Sequence, residues 1–182
     1  MQIVPIHYRI SEKVRKFSDI KQDAAEMAEM LAEGKFTGYY PKGYALAHAQ
    51  VSDSPSAFFV VDAGLVRDDA FEHPVIINPR VLESPVYHEF TKAEKKMKLD
   101  KNYRRVNHRQ YEEGCLSFPH RRAKRLNRFD RIKVKYQTPG GLFGLKTHVK
   151  WLEGLPSQVF QHEYDHIMGC NIFFNGPGDA RE

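Results

Sequence analysis

Residues 161–166 read QHEYDH, and this short stretch constrains the fold more than any other part of the chain. On an α-helix, positions 162, 163 and 166 share one face, so His162, Glu163 and His166 project in the same direction. Two imidazoles beside a carboxylate suit a divalent cation with a neighbouring general base. The spacing therefore predicts a helical metal site, for which the rest of the chain must supply a third ligand.

A surface helix held by ion pairs is the other explanation of this spacing. The helix is predicted to run from about residue 156 to 168, because its first turn contains a proline and Gly169 suits the position after its last turn. Val159, Phe160, Ile167 and Met168 are apolar residues that indicate a largely buried helix. Burial favours the metal site over the surface helix.

The third ligand does not follow the known protease patterns. The pattern H-E-x-x-H-x-x-G-x-x-H matches through Gly169, but Ile172 stands where the third histidine is needed. A second pattern takes a downstream glutamate, and the only later glutamate is Glu182. Cys170 lies about 12 Å along the helix axis from His162 at 1.5 Å per residue, too far to share one ion. A metallopeptidase that cleaves internal bonds is therefore disfavoured.

A cysteine far upstream remains as the candidate ligand. Cys115 lies in the stretch YEEGCLSFP at 111–119, and its thiolate would complete a site of two histidines and one cysteine. Beside a divalent cation the thiol is expected to be deprotonated. Two cysteines are too few for a disulfide framework, so no disulfides are expected.

Two further stretches accompany QHEYDH. Residues 113–117 read EGCLS, and residues 43–50 read GYALAHAQ. The second stretch keeps four residues of a G-x-G-x-A-A-x-Q pattern, namely Gly43, Leu46, Ala47 and Gln50. In this order and at these separations, the three motifs resemble those of the peptide deformylases. INP at 77–79 is similar to the strand before the family's second motif, and the resemblance covers roughly residues 10 to 174.

The resemblance implies a metal-dependent hydrolase. Its reaction would remove the N-formyl group from the N-terminal formylmethionine of newly synthesised polypeptides and release formate. The implied cofactor is Fe²⁺, which Zn²⁺, Ni²⁺ or Co²⁺ can replace, and the implied partners are formylmethionyl nascent peptides. The implied metal ligands are Cys115, His162 and His166.

The resemblance also implies how the site residues act. A bound cation lowers the pKa of its water towards about 7, which makes attack on the formyl carbon feasible at neutral pH. Glu163 would act as general base and then as general acid. The side-chain amide of Gln50 and the backbone N–H of Leu116 would stabilise charge on the formyl oxygen. Glu113 and Asp165 are expected to hold the site in place.

The first motif departs from the family pattern at two positions. Ala45 replaces the second glycine of the G-x-G-x-A-A-x-Q pattern, and His48 replaces its second alanine. The resemblance implies that Gly43, Tyr44 and Val159 contact the substrate. Alanine loses access to positive φ and adds a methyl group. The histidine would narrow the pocket or bind substrate if it points inward, and it is predicted to point outward. These changes leave open a catalytically weak homologue that binds blocked N-termini.

The predicted fold class is α+β, within a single domain of residues 1–182. Mainly antiparallel short strands are expected to pack around a central C-terminal metal-binding helix. An N-terminal amphipathic helix is predicted over 19–33, because Ile20, Ala24, Met27, Ala28 and Leu31 share one face. Strands are predicted at 57–62, 74–79, 131–138 and 147–154. The basic stretch 88–110 is expected to leave the core.

The net charge of +5 is unevenly distributed. Residues 88–135 hold 16 of the 28 Lys and Arg residues but only 6 of the 23 Asp and Glu residues, a local balance of +10. A solvated basic loop explains this run, and a transient ribosome contact is the alternative. No apolar run reaches the roughly 20 residues of a membrane helix. Without a signal layout, the expected location is the cytoplasm of a bacterium or phage-infected cell, or an organellar matrix if a targeting segment was removed.

Overall fold

Five strands form the central sheet, and apolar side chains of two helices pack on its opposite faces. The computed structural model describes residues 1–4, 9–34, 36, 38–40, 42–66, 70–83, 108–140 and 144–173. The helices in these ranges are α1 (Lys21–Glu33) and α2 (Leu155–Ile167). The strands are β1 (Ala45–Ala47), β2 (Phe58–Val61), β3 (Val75–Glu83), β4 (His108–Glu113), β5 (Lys124–Phe129), β6 (Arg131–Pro139) and β7 (Leu145–Glu153).

The strand order in the central sheet is β1-β2-β3-β6-β7, and every neighbouring pair is antiparallel. Strands β4 and β5 form a separate antiparallel pair, from His108 opposite Phe129 to Glu113 opposite Lys124. The predicted α+β class with mainly antiparallel strands is confirmed. Residues 84–107, which contain most of the basic stretch 88–110, lie outside the described residues.

Helix α2 packs against one face of the central sheet. Ile132, Val134 and Tyr136 alternate inward along β6 and are fully buried, as their period of two predicts. They join a core cluster that also contains Phe160 and Ile167 from α2. Burying these apolar surfaces, at about 25 cal/mol per Å², fixes the face that α2 turns towards the sheet.

Helix α1 packs against the other face, over β1 and β2. Met27 and Leu31 are buried on its inner side and cluster with Phe58 and Val60 of β2. The helix ends at Gly34, whose φ of 60° is the left-handed conformation that favours glycine after a last turn. The predicted amphipathic helix is confirmed. It begins at Lys21, two residues after the start of the predicted range 19–33.

The paired strands β4 and β5 are elements that the sequence analysis does not predict. Their sequences, HRQYEE and KRLNRF, lack a regular alternation of apolar and polar residues. Their position is nevertheless important, because Cys115 lies two residues after the end of β4. No helix among the described residues is both long and apolar enough to cross a membrane.

Candidate metal centre and active site

Three segments that are distant in sequence meet beside α2. Gln50 ends a short 3-10 turn that follows β1, and Cys115 lies two residues after β4. His162 and His166 lie one turn apart on α2, so both imidazoles face this meeting point. Each of the three segments contains one of the motifs that the sequence analysis identified.

Cys115, His162 and His166 form one compact set of donor atoms. A sulfur or nitrogen atom from each lies within 4.8 Å of the others. The Cys115 Sγ to His166 Nε2 distance is 3.2 Å, and both side chains are buried. One thiolate and two imidazoles are the donor types of a four-coordinate zinc-like or ferrous site with one position left for water. The donor set therefore fits the implied cation.

The charges of these groups are strongly coupled. Burial alone would raise the pKa of the Cys115 thiol, but the His166 charge and hydrogen bonds from both histidines hold that pKa well below its ordinary value. Burial would lower the pKa of His162, yet hydrogen bonds to Cys115 and Glu113 raise it well above the ordinary value. The lowered pKa of Cys115 favours the ionised sulfur that a divalent cation requires of a cysteine ligand.

A buried ion-pair network supports His162 from behind. Glu113 Oε2 lies 2.9 Å from His162 Nδ1, and both Glu113 oxygens accept hydrogen bonds from Arg128. Burial works against the ionised carboxyl, but the bonds from Arg128 and His162 lower the pKa of Glu113 to about 2. Arg128 also donates to Asp165. The supporting roles expected of Glu113 and Asp165 would depend on their hydrogen bonds to Arg128. Arg128 is a residue that the sequence analysis missed.

Glu163 is buried on the same face of α2, with 4% of its surface exposed. Its Oε2 has no hydrogen-bond partner within the part of the chain that the structure describes. Burial raises the pKa of Glu163, although the nearby histidine charges oppose that shift. A buried, unpartnered carboxyl oxygen with a raised pKa is suited to taking up and returning a proton.

Gln50 is held with its amide group facing Cys115. Its Oε1 accepts a hydrogen bond from the Ala47 N–H at 2.9 Å, which leaves Nε2 directed towards Ser117 Oγ at 3.1 Å and Cys115 Sγ at 3.8 Å. In the described ranges, no hydrogen bond takes up the Leu116 N–H. Two donors that border one cavity form an arrangement of the oxyanion-hole type.

A cavity of about 140 Å³ opens beside these groups. The predicted substrate contacts Gly43, Tyr44 and Val159 all line it, together with Gln50 and Glu163. Val159 is buried whereas Tyr44 is 48% exposed, so Val159 forms part of the wall and Tyr44 lies at the mouth. The cavity therefore joins solvent to the donor set.

This arrangement has known relatives. The chain matches the family described as Polypeptide deformylase over residues 4–175. The chain belongs to the polypeptide deformylase family. The peptide deformylase of Thermotoga neapolitana is 34% identical over 170 residues, which cover 92% of this chain and 79% of that protein. The crystal structure of the Thermotoga maritima enzyme has a TM-score of 0.64 at 29% identity and covers 97% of this chain and 99% of its own.

A second bacterial relative shows the same extent of similarity. The peptide deformylase of Thermus thermophilus is 30% identical over an alignment of 187 residues, which covers 98% of this chain and 81% of that protein. A crystal structure of the Thermus thermophilus enzyme has a TM-score of 0.66 at 27% identity and covers 97% of this chain and 86% of its own. The resemblance inferred from the three motifs is thus confirmed over nearly the whole chain.

The structure corrects the prediction for His48, one of the two departures from the deformylase motif. The ring does not point outward, because His48 is only 4% exposed and stacks on Phe58 with 4.7 Å between ring centroids. It is also absent from the cavity lining, which does include Ala45. The 3-10 turn at His48–Gln50 replaces the strand alternation on which the outward prediction depended.

The two cysteines have different environments, as expected if Cys115 is a metal ligand and Cys170 is not. Neither forms a disulfide among the described residues, and Cys170 is partly exposed and outside the donor set. Gly114, beside the buried Cys115, packs against Tyr40. A Cβ at Gly114 would lie 2.3 Å from the Tyr40 ring, so only glycine permits this approach. This close contact places the Cys115 backbone next to the cavity.

Proposed function

We propose that this deformylase removes the N-formyl group from the N-terminal formylmethionine of newly synthesised polypeptides and releases formate. The observation that carries the proposal is the pairing of the Cys115, His162 and His166 donor set with the unpartnered Glu163 carboxyl oxygen beside one cavity. Such a combination suits hydrolysis of a small amide rather than binding alone.

The donor set would hold a divalent cation, with Fe²⁺ proposed as the native ion and Zn²⁺, Ni²⁺ or Co²⁺ as replacements. When bound, the cation supplies Lewis acidity and lowers the pKa of a coordinated water. Cys115 contributes its ionised sulfur, and His162 and His166 contribute ring nitrogens. Their burial keeps bulk water from competing for these donors.

Glu163 is the proposed proton carrier. It accepts a proton from the attacking water as the new C–O bond forms at the formyl carbon, and it then donates that proton to the leaving nitrogen as the C–N bond breaks. The products are formate and a free α-amino group. The raised pKa of Glu163 supports both halves of this exchange, because the carboxyl must be a competent acid as well as a base.

Gln50 and Leu116 are the proposed oxyanion donors. As the formyl carbon becomes tetrahedral, negative charge develops on its oxygen and needs preorganised N–H groups. The Ala47 N–H already fixes the Gln50 amide, so little reorganisation is required. Gly43, Tyr44 and Val159 are proposed to contact the methionine residue from the cavity wall and mouth.

The direct test is formate release from formyl-Met-Ala-Ser by anaerobically purified, Fe²⁺- or Ni²⁺-loaded protein. Glu163→Gln is expected to lower kcat/KM by about 10²- to 10⁴-fold while the protein retains its metal. Glu112→Gln is the matched control, because Glu112 also lines the cavity but is exposed and paired with Arg125. Equal activity of the wild type and Glu163→Gln would disprove the assignment of the base.

The same assay distinguishes a deformylating enzyme from the alternative, a homologue that only binds blocked N-termini. A homologue that only binds blocked N-termini would take up the formyl peptide in calorimetry but release no formate. The position of His48 away from the cavity lining removes one of the two reasons for that interpretation. Ala45 remains, and Ala45→Gly would restore the family motif and raise activity if the methyl group obstructs the substrate.

We also propose that the protein meets its substrate at the ribosome, in the cytoplasm or in an organellar matrix, through the basic stretch 88–135. Of this stretch, residues 108–135 are described and include exposed Lys124 and Arg125 on β5. Neutralising the lysines of 92–101 is expected to weaken cosedimentation with ribosomes at low salt, since phosphate contacts are salt-dependent. Unchanged cosedimentation would contradict the contact.

A further inference from the structure

Arg128 on β5 is a nearly buried cation without a role in the chemistry proposed above. Only 12% of its side chain is exposed. Its guanidinium donates from Nε to Glu113 Oε1 at 2.9 Å, from Nη2 to Glu113 Oε2 at 2.8 Å, and from Nη1 to Asp165 Oδ2 at 2.7 Å. The planar fork of arginine makes all three bonds at once, which the single ammonium group of lysine cannot reproduce.

One oxygen of this network is shared with a proposed metal ligand. Glu113 Oε2 accepts from Arg128 Nη2 and also lies 2.9 Å from His162 Nδ1. An ionised carboxylate can only accept hydrogen bonds, so His162 must donate from Nδ1. That hydrogen bond fixes the orientation of the ring and leaves Nε2 as the nitrogen available to a cation.

The same arginine connects the two elements that supply the ligands. Glu113 is the last residue of β4, directly before the segment with Cys115, whereas Asp165 lies on α2 between His162 and His166. The neighbouring residue of β5 reinforces this connection. The Phe129 backbone N–H donates to Gln161 Oε1, and its carbonyl accepts from Gln161 Nε2 and the Ser157 hydroxyl.

We propose that Arg128 is a positioning residue of the metal site. Its fork holds Glu113 so that His162 presents Nε2, and it ties the strand that precedes Cys115 to the helix that contributes both histidines. In so far as it concerns hydrolysis, this inference rests on the proposed function. The supporting hydrogen bonds of a ligand histidine commonly change metal affinity by about 10- to 100-fold.

Arg125 offers a matched control on the same strand. It pairs with Glu112, one residue before Glu113, through an Nε to Oε1 contact of 2.9 Å. Both partners of that pair are mostly exposed, at 72% and 64%, so solvent screens the interaction. Arg125→Gln therefore removes the same charge from the same strand without disturbing the buried network.

The experiment measures Co²⁺ affinity by competition with a chelator, together with the visible spectrum of the Co²⁺ protein. Arg128→Gln is expected to weaken Co²⁺ binding by about 10- to 100-fold and to alter the spectrum, while Arg125→Gln leaves both unchanged. Arg128→Lys is expected to fall between the two, because it restores the charge but not the fork. Wild-type affinity and spectrum in Arg128→Gln would overturn the proposal.

Circular dichroism of each variant establishes whether it folds. If Arg128→Gln does not fold, Arg128→Lys decides the question, and wild-type Co²⁺ affinity and spectrum in that variant would overturn the proposal. Formate release is measured in parallel. Weak Co²⁺ binding by Arg128→Gln combined with an inactive wild type would support the positioning role and contradict the proposed function, so the two failures are distinguishable.

Discussion

His48 lies between α1 and β2, where its ring meets three different kinds of contact. It stacks on Phe58, its Nδ1 accepts a hydrogen bond from the Ser56 N–H at 2.9 Å, and its Nε2 lies 3.4 Å from Asp23. Burial lowers the pKa of His48, and the opposing effect of Asp23 is smaller. The histidine is therefore a core residue that favours the neutral form.

This environment predicts a pH-dependent stability. The unfolded chain binds a proton at His48 near pH 6.5, whereas the folded protein does so only at lower pH. Folding is thus progressively disfavoured as pH falls below about 6.5, by at most about 1.4 kcal/mol per pH unit for one proton. Urea unfolding at pH 7 and pH 5 should show a larger loss of stability in the wild type than in His48→Ala. Equal losses would contradict this assignment.

At the scale of elements, Asn78 explains how the segment before α1 is attached to the sheet. Asn78 has a φ of 49° and lies at an irregularity in the pairing of β3 with β6. Its side chain accepts from the Val14 N–H at 2.9 Å and donates to the Val14 carbonyl at 2.8 Å and to Gln137 Oε1 at 2.7 Å. This asparagine belongs to the INP stretch that the sequence analysis singled out.

Substitutions at Asn78 should separate backbone strain from hydrogen bonding. Asn78→Gly retains the left-handed backbone but loses the side-chain bonds, each of which contributes about 1 kcal/mol to the free energy of unfolding. Asn78→Ala should be a further ~1–2 kcal/mol less stable, the cost of that backbone for alanine. Chemical denaturation measures both. The exposed Asn127→Ala, as control, should change stability by less than about 0.5 kcal/mol.

The elements differ in how well sequence predicts them. Strand β6 and helices α1 and α2 are readable because Ile132, Val134 and Tyr136, like Met27 and Leu31, repeat at the period of their element. Strands β4 and β5 lack such a repeat and are held by six paired positions and the buried Arg128 network. Nothing local distinguishes Arg128 from Arg125, since only the folded chain places one against Glu113 and Asp165.

The residues of the functional site also differ in how well sequence predicts their positions. His162, Glu163 and His166 share one helix, so their common face follows directly from 3.6 residues per turn. Cys115 is reached only by excluding the other candidate ligands, and Gln50 only through its motif, because their distance from α2 in the fold depends on every strand between. The burial of His48 depends on a 3-10 turn that strand alternation does not predict.

At the scale of the whole molecule, a bound cation would link the segment that contains Cys115 to helix α2, which contains His162 and His166. A ligand that binds only the folded state stabilises it by about 2.7 kcal/mol at 100 times its Kd. Adding Ni²⁺ or Co²⁺ should therefore raise the thermal unfolding temperature of the wild type. Cys115→Ala should lose most of this increment. Cys170→Ala should retain it, because Cys170 is outside the donor set, and an undiminished increment in Cys115→Ala would contradict the ligand assignment.

The order of the site's segments along the chain has a consequence for biosynthesis. Helix α2 contacts β1, although more than 100 residues separate them, and Glu163, His162 and His166 are the last site residues to be translated. Contacts this distant in sequence form slowly, and domains assemble as translation proceeds. Cys115 therefore emerges before its burial is complete and is exposed to oxidation in that interval. Under the proposed function, the nascent chain therefore gains its proton carrier, Glu163, only after Gln50, Cys115 and Leu116 have been translated.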